Sequence, residues 1–316
     1  IKQSLTAGIT AVILLLPLVW SIVSSGAASR FAGVGWLADL GPASRATELR
    51  GQHNNRIFHN KPFLYTLRLV QNYLDHWDGN FLFINGDVIE RNKVPETGLF
   101  YLTDAILFFI GVYFMRSKLI WFWFFIAPLA AAMTFQTPHA LRSHNMVIPM
   151  TIIIAVGLSK LLNKKVFLLL FTIVYGWQFA RYLHEYYVHY SYQYPTAWEY
   201  GFKELVAYTE SVKDKYQKIW VTDKYDQPYI MFLFYSKYDP SKFQGNHKLT
   251  YRDKFNFSTV RDFGKFHFEN TPWEKVKDIH NSLIFAAPED VPDKGANVIK
   301  TINFPNGSPA FKIIEN

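Results

Sequence analysis

The sequence predicts a mainly α-helical polytopic membrane protein with five transmembrane helices and a C-terminal soluble α/β domain. Two observations lead to this fold class. Five long apolar runs fall within the first 183 of the 316 residues, and helix-like and strand-like segments alternate after them. The charges divide at the same point: residues 1–183 hold 16 Lys and Arg against 8 Asp and Glu, whereas residues 184–316 hold 17 of each.

Composition excludes several classes of protein. The surplus of eight positive charges belongs to the apolar part, so the chain does not fit a basic nucleic-acid-binding domain, and we expect no nucleic acid partner. No cysteine occurs, which excludes a disulfide scaffold and thiol chemistry. The sequence also holds no ligand spacing typical of a metal site and no glycine-rich phosphate loop.

The five apolar runs are predicted to span a membrane, because each approaches the roughly 20 residues that a spanning helix needs. Buried helices of a soluble protein are the alternative, but five runs with almost no polar face argue against it. The predicted spans are residues 5–24, 99–115, 119–135, 146–162 and 166–183.

Orientation follows from the basic residues at the ends of these runs. One set of ends holds six basic residues and no acid: Lys2, Arg116, Lys118, Lys160, Lys164 and Lys165. We therefore expect that side to be cytoplasmic and the loop 25–98, the turn 136–145 and the domain 184–316 to lie outside. A cleavable signal peptide ending near Gly26-Ala27-Ala28 is the alternative for the first run; because residue 1 is Ile, we expect a piece of a longer chain instead.

The loop 25–98 is too long for a plain connection and is predicted to fold on the membrane surface. Asn60-Lys61-Pro62 is typical of a helix start, and the pattern after it predicts an amphipathic helix, Pro62–His76. Phe81–Ile84 is predicted to be a strand that leads into a tight turn at Asn85-Gly86-Asp87. The apolar positions of the helix are Phe63, Leu67, Val70, Leu74 and Trp77.

The turn 136–145 joins two predicted spans and holds His139, Arg142 and His144. Its side chains therefore lie at the outer headgroup level, and the next helix begins with backbone N–H groups that face outward at Ser143–Asn145. An arginine beside such a helix start suits a phosphate, because its fork can bond two oxygens. The alternative is an arginine that only anchors the helix to lipid headgroups, and the residues alone favour it.

Asp104 is predicted to lie about 7 Å below the outer end of its helix. An acid within a span is a functional candidate, in this case one that lines a cavity. The alternative, equally supported by the sequence, is an acid near the interface that pairs with Arg142 or a histidine.

The last part of the chain is predicted to form a small α/β domain. Predicted helices are Glu199–Tyr216 and Pro228–Tyr238, after a Tyr-rich stretch suited to the membrane interface. Predicted strands are Lys218–Thr222, Phe263–Phe268, Ser282–Ala287, Asn297–Ile302 and Ala310–Ile314, the last two joined by a turn at Asn306-Gly307.

Several short motifs resemble family 39 glycosyltransferases, enzymes of the GT-C fold that use polyprenyl-phosphate sugars and are related to protein mannosyltransferases and the lipid A aminoarabinose transferase. The resemblance covers most of the chain and corresponds to the C-terminal half to two-thirds of a full enzyme. The motifs are Phe135–Arg142 followed by Pro149 and Gly157, Phe81–Asp87 before Gly98-Leu99-Phe100, Tyr194-Pro195, Gly201–Glu204, and Gln227-Pro228-Tyr229.

The resemblance implies a polyprenyl-phosphate-linked sugar as donor, surrounding membrane lipid, an acceptor protein or glycan outside the membrane, and no cofactor, with metal dependence left open. His139, Arg142 and His144 are implied contacts of the donor phosphate. The family's catalytic base, an Asp or Glu on the first outer loop, is expected upstream of Ile1, so we assign no catalytic residue and expect this chain alone to transfer no sugar. The alternatives are a membrane anchor that presents an α/β interaction domain, or a lipid or polysaccharide transporter.

Overall fold

The computed structural model describes residues 2–24, 33–53, 55–161, 165–253, 257–292 and 294–316. The chain divides into two compact units, Ile1–Phe179 with Asp253–Asn256, and Ala180–Arg252 with Phe257–Asn316. Three features of the sequence analysis lie outside the described residues: the start at Ile1, the signal-peptide alternative at Gly26-Ala27-Ala28, and Lys164 at the predicted cytoplasmic ends.

The first unit is helical. Its α-helices are α1 (Lys2–Ser24), α2 (Gly41–Gln52), α3 (Lys61–Asp75), α4 (Leu102–Phe114), α5 (Lys118–Ile126), α6 (Leu129–Ala132), α7 (Val147–Leu161) and α8 (Lys165–His184), which contributes to both units. Single 3₁₀ turns lie at Trp36–Ala38, Glu90–Asn92 and His144–Met146.

The prediction of five transmembrane helices is wrong. Among the described residues, two helical stretches are long and apolar enough to cross a membrane, His144–Leu161 and Lys165–Gln193. The remaining apolar helices are shorter: Gly8–Ser21, Leu102–Phe114 and Lys118–Ala132.

The lengths of the helices explain the error. The apolar run at 99–115 becomes helical only at Leu102, and the 13 residues of α4 extend about 20 Å, short of the roughly 30 Å of a hydrocarbon core. In the run 119–135, α5 ends at Ile126, and Pro128 is the N-cap of the separate helix α6. The apolar composition of a run shows how many apolar residues follow one another, but it does not show where the helix begins and ends.

Helix α3 confirms the predicted helix Pro62–His76, and its place on a membrane surface stays a prediction. The Asn60 side chain accepts a hydrogen bond from the Phe63 backbone N–H at 2.8 Å, which makes Asn60 the N-cap. The predicted strand after the helix is wrong, because Asn80–Ile84 forms a π-helical turn with Phe81 and Leu82 buried. The turn after it has the expected glycine, Gly86, in the left-handed region at φ +70°.

Helices α4 and α7 touch backbone to backbone. A Cβ atom at Gly111 of α4 would overlap the carbonyl oxygen of Ile153 in α7, and one at Gly157 of α7 would overlap the carbonyl oxygen of Leu107 in α4. Small residues permit this close approach, as is common between helices in membranes.

The second unit contains a seven-stranded mixed sheet in the order β2-β3-β4-β1-β5-β7-β6. Strand β1 lies between β4 and β5 and is parallel to both, whereas the other neighbouring pairs are antiparallel. The strands are β1 (Lys218–Val221), β2 (His247–Leu249), β3 (Val260–Phe263), β4 (Phe266–Phe268), β5 (Ser282–Ala286), β6 (Val298–Asn303) and β7 (Pro309–Glu315).

Short helices accompany the sheet: α9 (Tyr190–Gln193), α10 (Phe202–Val212), α11 (Pro228–Tyr235), α12 (Pro240–Gly245) and α13 (Trp273–Val276), with a π-helical turn at Glu185–His189 and 3₁₀ turns at Lys213–Lys215 and Pro288–Asp290. Phe202 and Leu205 of α10 and Phe232 of α11 pack into one apolar core with the sheet residues Ile219 and Phe285. Burial of these large side chains is the main stabilisation of the unit.

Most strands of the sheet lie where the sequence predicts them, including the terminal hairpin with Gly307 at φ +84°. The predicted strand Phe263–Phe268 is wrong as one element, because Gly264 at φ +54° turns the chain there and separates β3 from β4. Strand β2 was not predicted. It lies at one edge of the sheet, β6 lies at the other, and the pairing of each with its neighbour is interrupted by a register shift.

Candidate functional site

The loop 136–143 is held against helix α3 by the Asn72 side chain. Asn72 is fully buried, and its amide nitrogen donates to the carbonyl oxygens of Ala132 at 3.1 Å and Thr134 at 2.8 Å. The Thr137 hydroxyl lies 3.1 Å from the amide oxygen of Asn72 and 3.1 Å from a carboxylate oxygen of Asp75. These bonds satisfy buried polar groups and fix the start of the loop.

His76 fixes the middle of the same loop. Its Nδ1 lies 2.7 Å from the carbonyl oxygen of Asn72, and its Nε2 lies 3.3 Å from the backbone nitrogen of His139. A carbonyl can only accept and a backbone N–H can only donate, so this geometry requires the neutral ring with its proton on Nδ1. Burial lowers the pKa of His76, consistent with a neutral ring.

Asp87 holds the loop from the opposite side. Its carboxylate is buried and accepts from the backbone N–H of Ala140 at 2.7 Å, the backbone N–H of Ile89 at 2.8 Å, and the amide of Asn92 at 3.0 Å. A carboxylate with three donors is rigidly held. Asp87 therefore connects the turn after α3 to the segment that carries His139 and Arg142.

His139 is buried with one ring nitrogen unused. Its Nδ1 lies 3.8 Å from the Asp87 carboxylate, beyond hydrogen-bond distance, and no described residue bonds it. Burial lowers the pKa of His139, and the positive charge of Arg142 lowers it further. The site therefore presents a neutral imidazole beside a guanidinium.

Arg142 carries a positive charge that no carboxylate neutralises at contact distance. Its guanidinium donates to the Thr134 hydroxyl at 2.9 Å and to the Gln136 side-chain oxygen at 3.4 Å, both neutral acceptors. Within the described part of the chain, no acid lies within 4.0 Å of it. The side chain is half-buried, and two neutral groups orient it. Its guanidinium is therefore positioned to donate hydrogen bonds to an anion.

His144 is separate from this arrangement. It is exposed at the beginning of the 3₁₀ turn His144–Met146, and the described residues include no hydrogen bond between its ring and His139 or Arg142. Ser143 is the N-cap of that turn, but its hydroxyl donates to the carbonyl of His139 at 2.8 Å instead of capping it. The structure thus brings together two of the three predicted phosphate contacts.

Asp104 has partners other than the expected ones. One oxygen of its buried carboxylate accepts from the backbone N–H of Tyr101 at 2.9 Å, which caps α4, and both oxygens lie 3.3 Å from the Tyr175 hydroxyl. An apolar cavity of about 190 Å³ lies between α4, α7 and α8, and its lining includes Thr103 but not Asp104, so the prediction that Asp104 lines a cavity does not hold for this one. These contacts assign Asp104 to capping and packing.

Three positioning residues, Asn72, His76 and Asp87, were missed as parts of the site. Asn72 lies on the polar side of the amphipathic helix α3, His76 is the C-cap of that helix, and Asp87 was predicted only as part of a turn. The spacing of four between Asn72 and His76 was a usable signal, because it places both on one side of a helix.

A cluster of ionisable side chains in the second unit was also missed. His267 lies between Asp262, at 2.6 Å, and Glu269, at 3.2 Å, and Glu269 also pairs with Arg261 and Lys275. Burial raises the pKa of Glu269, but the hydrogen bonds from Lys275 and His267 and the charge of Arg261 outweigh burial and lower it to about 2. Each charge has an opposite partner, as is typical of a structural network.

The loop is expected to loosen as the pH falls. The pKa values of His76 and His139 are lowered from 6.5, so the unfolded chain binds these protons at a higher pH than the folded chain does, and stability is lost below about pH 6.5. Hydrogen exchange of residues 136–143, corrected for intrinsic rates, should accelerate between about pH 7.5 and about pH 5.5. His76→Gln should weaken this dependence, whereas His144→Gln, at an exposed ring, should retain it. An unchanged exchange rate in the unsubstituted chain would contradict the assignment.

Comparison of the chain with protein-family models, with curated proteins and with solved structures yields no significant match.

Proposed function

We propose that this chain is part of a membrane glycosyltransferase that moves a sugar from a polyprenyl-phosphate donor to an acceptor protein or glycan outside the membrane. The observation that carries the proposal is the Arg142 guanidinium, charged, oriented by two neutral acceptors and beside the unbonded Nδ1 of His139. In this reaction the bond between sugar and phosphate breaks, and negative charge grows on the departing lipid phosphate. Donors already aimed at that oxygen stabilise the transition state most.

The rigidity of the loop supports this role. Asn72, His76 and Asp87 fix the backbone on both sides of His139, so the guanidinium need not reorganise when a phosphate binds. A headgroup anchor needs only a long cationic side chain near the interface and gains nothing from this network. We leave the base that activates the acceptor unassigned.

The two candidate spans support a membrane location for the site. His144–Leu161 and Lys165–Gln193 follow each other in the chain, so a hairpin through the bilayer would place both outer ends on one side. The facing ends of these stretches and the residues between them carry Lys160, Lys164 and Lys165 and no acid, which favours the cytoplasmic side for the connection. In this orientation Arg142 is at the outer membrane surface, where a polyprenyl phosphate presents its headgroup.

The apolar cavity in the same unit supports a lipid donor. It is lined by side chains such as Leu107, Leu158 and Phe171, and it suits part of an isoprenoid chain better than any polar ligand. In this proposal the surrounding membrane lipid and the donor lipid are the only apolar partners, and no cofactor takes part.

Binding of undecaprenyl phosphate to the 316-residue chain in detergent, measured by native mass spectrometry, tests the proposal. Charge-assisted hydrogen bonds contribute about 1.5–3 kcal/mol each, so Arg142→Ala should weaken binding roughly 10- to 150-fold. Arg116→Ala, which removes an exposed arginine elsewhere in the unit, should leave it unchanged.

Phosphatidylglycerol serves as the second ligand in this experiment. If it binds as tightly as undecaprenyl phosphate and loses the same factor in Arg142→Ala, the arginine is a headgroup anchor. Equal binding of undecaprenyl phosphate by all variants would also contradict the proposal.

A further inference from the structure

We infer that the second unit carries a binding cleft for a neutral saccharide, formed by Trp198, Tyr200 and Tyr235 with Lys203 and Glu204 at its rim. The inference goes beyond the proposed transfer reaction and does not depend on it, because binding is measured without turnover.

The cleft has the volume of a small-molecule site. It measures about 450 Å³, within the roughly 300–1,000 Å³ typical of such sites. All of its lining belongs to the second unit: the turn before α10, the first turns of α10, and the last residue of α11. Three aromatic rings and several charged groups therefore surround one space.

The aromatic rings of the cleft are open to solvent. Trp198 is 66% exposed, Tyr200 49% and Tyr235 39%. The indole N–H of Trp198 is already bonded to the Tyr190 hydroxyl at 2.7 Å, so its orientation is fixed and its free surface is the apolar ring. Exposed apolar clusters on a folded unit mark binding surfaces. The C–H groups of a pyranose ring pack well on such a flat aromatic face, while its hydroxyls remain free to bond the rim.

The backbone holds these rings in an unusual conformation. Glu199, between Trp198 and Tyr200, adopts φ +54°, and Gly201 adopts φ +98°. A side chain at Gly201 would press on the buried ring of Phe311, so the turn rests directly on the core. A non-glycine residue in the left-handed region is unfavourable and persists only where the surrounding structure imposes it. This turn separates and exposes the two neighbouring rings.

The charges at the cleft favour a neutral ligand. The lining contains one positive side chain, Lys203, and two carboxylates, Glu199 and Glu204. Glu204 is paired with Lys300 at 2.8 Å. The cleft therefore has no positive surplus with which to attract a phosphate or an anionic bilayer. A polyhydroxylated ligand can use both signs, since each hydroxyl donates to a carboxylate and accepts from an ammonium group.

Saturation-transfer NMR of the full chain with cellotetraose, maltotetraose and mannotetraose tests the inference. The chain must be kept in lauryldimethylamine oxide, because glycosidic detergents would compete for the cleft. At least one tetrasaccharide should bind, and Trp198→Ala should weaken its binding by about 2- to 12-fold, the scale of one aromatic contact. Trp198→Phe keeps a flat ring and should retain most of the affinity.

Tyr251→Ala is the matched control. Tyr251 is a fully exposed aromatic residue of the same unit that does not line the cleft, and its loss should not change binding. The inference is overturned if no tetrasaccharide binds, if Trp198→Ala binds as well as the unsubstituted chain while its circular dichroism is unchanged, or if Trp198→Ala impairs attachment to phosphatidylcholine vesicles and not saccharide binding.

Discussion

In the glycosyltransferase proposed above, Arg142→Ala is expected to lower the rate of sugar transfer roughly 10- to 150-fold, the loss of one charge-assisted contact of about 1.5–3 kcal/mol in the transition state. The guanidinium is already oriented by Thr134 and Gln136, so the variant removes a pre-positioned charge without disturbing the buried network around Asp87. The measurement is the initial rate of sugar transfer from the polyprenyl-phosphate donor in proteoliposomes.

Arg142→Lys separates a phosphate site from an anchor. A lysine keeps the charge and the long stem but cannot bond two oxygens in one plane, so it should recover only part of the rate. His139→Ala should cost less than Arg142→Ala, since a neutral imidazole supplies one weaker bond. Arg116→Ala, far along the chain and exposed, should be nearly neutral. If Arg142→Lys matched the unsubstituted enzyme at normal membrane insertion, Arg142 would be an anchor.

Gly157→Val is expected to destabilise the helical unit more than any surface substitution. Even the first added carbon would overlap the carbonyl oxygen of Leu107, a backbone atom that cannot rotate away, so α4 and α7 must separate. Overpacking of this kind costs about 1–3 kcal/mol and occasionally more, and here the backbone contact places it at the upper end. The thermal midpoint of the purified chain in detergent should therefore fall by several degrees.

Gly176→Val provides the control for that substitution. Gly176 also lies in an apolar helix, α8, but a Cβ there meets nothing within 4 Å. The two variants add the same side chain, so any difference between them reports the contact between α4 and α7. Equal thermal midpoints for both variants would show that the two helices do not touch as described.

An element of the fold was predictable from sequence where all the residues that determine it lie within one short segment. The cap at Asn60 and the apolar spacing of α3 lie within one short segment, and so do β1 and the Asn306-Gly307 hairpin. The prediction of the membrane spans was wrong because the length of a span depends on where its helix begins and ends. The late start of α4 at Leu102 and the break at Pro128 do not change the apolar composition of the two runs.

The site was predictable only in part, for the same reason. His139 and Arg142 lie three residues apart. The residues alone favoured a headgroup anchor, and the resemblance to family 39 glycosyltransferases implied the phosphate contact, which stays a prediction. Their supports come from far along the chain: 63 residues separate His76 from His139, and 53 separate Asp87 from Ala140. No local pattern encodes a hydrogen bond over such a distance.

The two irregular edges of the sheet affect how this unit associates with other copies of the chain. An edge strand offers unpaired N–H and C=O groups to any second chain that approaches it. Here β2 is only three residues long, both edge strands carry a lysine, Lys248 and Lys300, and a register shift distorts the pairing of each. A long, flat template for cross-β growth is therefore missing from both described edges, and we expect this unit to resist self-association into fibrils.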